Sequence, residues 1–135
     1  MSVFSDLYII KLLLQNIENP DKTTVWQHAE SGAYFANFKE GKNFIHIEIG
    51  SIQSMTGGRV VIKFMSPGLG EIQIQEPPRA LFSRRYETED DEEFAQNLKS
   101  LFALVADQYA QRQIKDRENE EERKQAIYYR LVSGI

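Results

Sequence analysis

Between Glu89 and Ser133 the chain contains neither glycine nor proline. Nothing in that stretch breaks a helix, and its start is marked. Thr88 followed three residues later by Asp91 is a variant of the capping box, and Glu89 to Glu93 suit the positive end of a helix dipole. A helix over about 44 residues is ~66 Å long, whereas a compact domain of 135 residues has a radius of gyration of ~14 Å. The segment therefore either breaks, with Asp116–Asn119 the weakest point, or leaves its domain. The apolar pattern does not choose. Phe94, Leu98, Leu101, Phe102, Val105 and Tyr109 form a stripe at helical spacing that faces a core. From Ala110 to Gln125 the only large apolar residue is Ile114. The pattern resumes at Ile127, Tyr128, Leu131, Val132 and Ile135. Like charges at Glu118 and Glu122 oppose helix in between, and Glu120 with Lys124 supports it.

The rest of the chain predicts what that stripe covers. Residues 3–18 read as a helix, with Ser2 as N-cap and Asn19-Pro20-Asp21 as its end. Apolar residues cover it almost all round, which calls for burial on several sides. Residues 23–76 read as strands separated by turn signals: Thr24–Glu30, Ala33–Lys39, Asn43–Ser51, Arg59–Met65 and Glu71–Gln75. The alternation is clean. Ile45, Ile47 and Ile49 oppose Phe44, His46 and Glu48, and Val60, Ile62 and Phe64 share a face. Short connections make antiparallel neighbours. The expected fold class is α+β: an N-terminal helix, a four- to five-stranded antiparallel meander, and a long C-terminal helix packed on one sheet face and extending beyond it. The expected division is a single domain over 1–115 and, over 116–135, a C-terminal helical extension or a second short helix.

Composition excludes several chemistries. With no cysteine the chain forms no disulfide framework, thiolate metal site or cysteine nucleophile. The net charge of −4 lies wholly in residues 88–135, which carry seven Lys/Arg against eleven Asp/Glu, while residues 1–87 balance at nine each. No long basic segment exists, which argues against duplex binding. The apolar run Leu7–Leu14 is short of the ~20 residues a membrane span needs and lacks the basic flank of a secretion signal. The expected setting is the cytoplasm, of a bacterium by size and style, with no membrane partner.

No nucleophilic elbow or phosphate loop is present. Thr56-Gly57-Gly58 and Gly68-Leu69-Gly70 read as hairpin turns. His46 and Glu48, two apart on one strand face, could ligate a metal with His28 as a third donor, but a solvated sheet face explains them more simply. No cofactor, metal or catalytic residue is therefore expected. Trp26 and Tyr34 read as a cross-strand aromatic pair. Arg79, Arg84 and Arg85, with Phe82 and Tyr86 between them, form the one basic–aromatic cluster; its simpler reading is pairing with the acidic helix start. The residues expected to carry function are Ile127, Tyr128, Leu131, Val132 and Ile135, an apolar tip beyond a polar stretch. They predict a non-catalytic interaction module that self-associates as a homodimer. Two rivals stay open. One is a ligand-binding protein or enzyme using a sheet face around Trp26, His28, His46 and Glu48. The other is a single-strand nucleic-acid binder using Arg79, Arg84 and Arg85.

Overall fold

The computed structural model describes residues 5–19, 24–40, 42–55 and 57–134. A first helix, α1 (Asp6–Glu18), leads into five strands: β1 (Gln27–His28), β2 (Tyr34–Glu40), β3 (Asn43–Ser54), β4 (Gly57–Ser66) and β5 (Gly70–Gln75). The chain closes with α2 (Glu89–Val132). The strands form one antiparallel sheet in sequential order, β1-β2-β3-β4-β5. This is the expected α+β arrangement of helix, meander and long helix.

Register explains why one face is apolar. Tyr34 lies opposite Ile49, Ile49 opposite Ile62, and Ile62 opposite Ile74. Ala36, Ile47, Phe64 and Ile72 form the next row. Because side chains alternate with period two, each row continues on the same face across the sheet. Both helices pack there. Ile10, Leu13 and Ile17 of α1 and Ala95, Leu98, Leu101 and Val105 of α2 are all buried. Lys11 Nζ meets Glu93 Oε1 at 3.3 Å, an exposed pair joining the two helices.

Several local expectations change. The cap of α1 is Ser5, whose hydroxyl accepts from the Tyr8 amide at 3.2 Å, so the helix starts later than residue 3; Ser2 and Pro20 lie outside the described residues. The helix is not enclosed on several sides, since Tyr8 and Leu12 are exposed. β1 pairs at only two positions, Gln27 with Phe35 and His28 with Tyr34, rather than along Thr24–Glu30. A tight turn beyond it, where Ala29 donates to Ala33 and Gly32 to Ala29, closes the hairpin. β3 and β4 run longer than the alternation suggests, because the Ser54 hydroxyl donates to the Gly57 carbonyl and keeps the strands paired up to their turn. Gly68 and Gly70 take φ of 81° and 80° in the β4–β5 connection, a backbone region where a Cβ is disfavoured. Thr88 caps α2 as expected, its hydroxyl accepting from the Asp91 amide at 3.0 Å.

The C-terminal segment does not break. α2 is a single helix of 44 residues, ~66 Å long. Its buried positions end at Val105 and its half-buried ones at Tyr109. Every described residue from Ala110 to Gly134 is exposed. The helix thus leaves the domain and projects from it as an arm, and the boundary expected at residue 115 falls within the arm. No helix of the described residues is long and apolar enough to cross a membrane.

Candidate functional site

The departure point of the arm is built by Gln108. Its side-chain carbonyl accepts from the Trp26 indole N–H at 3.0 Å, and its amide nitrogen donates to the Ile17 carbonyl at 3.1 Å. The second bond satisfies one of the carbonyls that the last turn of α1 leaves without an intrahelical partner. Buried Trp26, the end of α1 and the middle of α2 are therefore tied through one residue. Beside it, the rings of Tyr34 and Tyr109 lie 5.4 Å apart between centroids, and His28 stacks against both, 4.7 Å from Tyr34 and 5.5 Å from Tyr109. Tyr109 is the last aromatic before the arm leaves.

Beyond it, the arm carries charge and then an apolar end. Lys124 reaches Glu120 at 3.7 Å and Glu121 at 4.0 Å, exposed pairs that support the helix from within. Ile127, Tyr128, Leu131 and Val132 are between 58% and 69% exposed. Ile127 with Leu131 and Tyr128 with Val132 are i, i+4 neighbours, so the four share one side of the helix. Tyr129, missing from the expected set, is as exposed, and its ring lies 5.7 Å from that of Tyr128. Ile135 lies outside the described residues.

The expected ligand face does not form as one surface. His28 is registered on Tyr34, so Trp26 and His28 lie on the helix-covered side of the sheet. His46 opposes Met65 and Asn37, and Glu48 opposes Lys63 and Phe35, on the other side. Side chains an even number apart share a face, and the register gives the two pairs opposite parity. His28 therefore cannot join His46 and Glu48 around one ion. Among the described residues, no three His, Asp or Glu side chains gather as metal ligands. His46 Nδ1–H donates to Asn37 Oδ1 at 2.9 Å, and its ring lies over Phe35. A shallow depression of about 430 Å³ on that face includes His46, Phe44 and Met65 but not Glu48. The Trp26–Tyr34 pairing also changes. With His28 opposite Tyr34, the position two residues earlier falls beside small Ala36, and the Trp26 ring lies edge-on to Phe38 at 6.1 Å. Sequence reasoning missed a groove of about 920 Å³ between α1 and the β2–β3 hairpin, over Leu13, Phe38, Ile45, Ile47 and Phe64. Its signal was the length of the alternation, which carries apolar residues past the reach of α1.

The arginine cluster is a built loop rather than a loose linker. Glu76 is 1% exposed. Its carboxylate accepts from the Tyr86 hydroxyl at 2.9 Å and from the Val60 amide at 3.5 Å, and its carbonyl accepts from the Arg59 guanidinium at 2.8 and 2.6 Å. The Tyr86 ring is flanked by Arg79 and Lys99, at 5.6 and 5.4 Å from its centroid. The hydrogen bond from Arg79 to the Tyr86 hydroxyl pushes the pKa of that guanidinium up. Ala80 and Arg85 close the loop through backbone bonds, Arg84 adopts φ of 58°, and Phe82 stands 97% exposed at the tip. Contrary to expectation, no ion pair among the described residues joins Arg79, Arg84 or Arg85 to the acidic helix start. Arg79 is held by Tyr86 instead, and Arg84 and Arg85 are exposed.

Comparison with known proteins supplies no relative: no family model matches the chain, and neither a curated protein nor a solved structure matches it.

Proposed function

We propose that the protein is a small cytoplasmic, non-catalytic interaction module that self-associates through the arm of α2. One observation carries the reading. An unbroken helix takes Ile127, Tyr128, Leu131 and Val132 away from the domain that could have covered them. The helix carries this tip clear of the described core, and the arm of a second copy offers it an apolar surface to pack on. Burial of side chains of this size is worth roughly 1.5–3 kcal/mol each, and four of them on each copy supply the driving force against the cost of association. Light scattering on the full chain tests this. The expected mass is twice the 15.6 kDa of one chain, falling to one chain's mass in Leu131→Asp. A full-length chain that stays monomeric at 100 µM contradicts the reading.

The 80–85 loop supports a second reading, single-stranded nucleic-acid binding. Phe82 is nearly fully exposed beside the exposed Arg84 and Arg85, the combination that stacks a base and neutralises phosphates. Binding of a labelled oligonucleotide that weakens with salt, and that is lost in Phe82→Ala with Arg84→Ala and Arg85→Ala, is the expected result. No binding at low salt removes it.

A further inference from the structure

We infer that two copies of the chain pair their arms antiparallel, in a register that sets Ile114 of one copy beside Leu131 of the other. The inference rests on self-association through the arm and adds orientation and contacts to it.

The arm carries a single seam at alternating four- and three-residue spacing, the spacing that keeps one face toward a partner helix. Ala110 and Ile114 occupy its domain end, Tyr128 and Leu131 its free end, and Arg117, Glu121 and Lys124 the turns between. All of these turns are exposed, so the whole seam is open to a partner. The seam is apolar at both ends and charged in the middle. That pattern distinguishes the two orientations.

Parallel pairing sets each residue beside its own copy. Arg117 then meets Arg117, Glu121 meets Glu121 and Lys124 meets Lys124, three successive layers of like charge. Antiparallel pairing removes all three. Reversing a helix turns its four-three spacing into three-four, so seam faces seam when the two-fold axis falls between Glu121 and Lys124. Glu121 of each copy then comes beside Lys124 of the other, Arg117 beside Tyr128, and Ile114 beside Leu131. The alternative axis between Arg117 and Glu121 would set Ile114 against Lys124, so the apolar and ionic pairings together select the first. Lys124 already contacts Glu120 and Glu121 of its own helix at 3.7 and 4.0 Å with its side chain well exposed, so it is free to exchange those partners. The reach also fits. From Gln111 to Val132 the arm measures ~33 Å, so each tip arrives at the other copy's domain end without either helix bending.

The test uses the absence of native cysteine. Gln113→Cys in the full chain, an exposed position on the flank of the seam, is labelled with a nitroxide, and the distance between the two labels is measured in the dimer. In the antiparallel register Gln113 lies opposite Val132. The labels then sit ~29 Å apart along the axis, nineteen residues at 1.5 Å each, and that result supports the proposal. A distance of ~10 Å, the spacing of side-by-side helices, means parallel pairing. It overturns the orientation while leaving self-association standing. A dimer by light scattering with no measurable coupling between labels overturns arm-to-arm contact altogether. A monomer overturns both this inference and the reading on which it rests.

Discussion

The first and second halves of α2 are one helix with two different reasons to be helical. From Glu89 to Tyr109 the helix is held by burial: Ala95, Leu98, Leu101 and Val105 are sealed against the sheet and α1. From Ala110 to Val132 every residue is exposed, and the helix depends on residue propensity and on pairs such as Glu120 with Lys124. An isolated helix of that length is marginal in water, since most helix stability in proteins comes from packing. The comparison shows what an arm of this kind requires: a packed half to nucleate it and, for a firm second half, a surface to lie on.

Substitutions separate the two halves by size of effect. Leu98→Ala removes a fully buried side chain and should cost about 2–5 kcal/mol in unfolding free energy. Leu131→Ala should change the unfolding of the isolated chain by less than ~0.5 kcal/mol while abolishing dimerisation; denaturant melts at low and high concentration check both. Gln108→Ala, at the boundary, leaves the Trp26 indole N–H and the Ile17 carbonyl without their partner and should cost about 1–3 kcal/mol. Trp26 fluorescence, the signal of the one tryptophan, reports it directly. Ala126→Gly should weaken the arm's helix by about 1 kcal/mol. It is read as lost helical circular dichroism with an unchanged midpoint for the domain. Lys124→Ala has the smallest effect on the lone helix, about 0.3–0.5 kcal/mol, and high salt removes it.

Much of this architecture is legible in the sequence because it depends on period. The alternation around Ile47 and Ile62 marks the apolar sheet face, and the stripe from Phe94 to Tyr109 marks the helix that covers it. Thr88 announces the helix start. Contacts set by register are not legible in the same way. Whether Trp26 meets Tyr34 or Phe38 depends on a two-residue ladder at β1, and whether His28 joins His46 depends on the parity that this ladder imposes. Sequence proximity misleads at Arg79 as well. The neighbouring acids suggest ion pairs, but Glu76, drawn into the core edge, holds Tyr86, and Tyr86 holds Arg79. Of the candidate site, the apolar tip could be read directly from composition after a polar gap. That the helix would cross the gap unbroken could not, because the opposed effects of Glu118 with Glu122 and Glu120 with Lys124 nearly cancel.

On the proposed self-association, the arm is ordered by a second chain rather than by its own domain. Amide hydrogen exchange along α2, followed as the protein is diluted, tests it most directly. Amides from Leu98 to Tyr109 should keep their protection at every concentration. Those from Ile114 to Leu131 should be protected only where the dimer is populated, and lose that protection together on dilution. Arm amides whose exchange does not change with concentration, whether slow or fast, would contradict it.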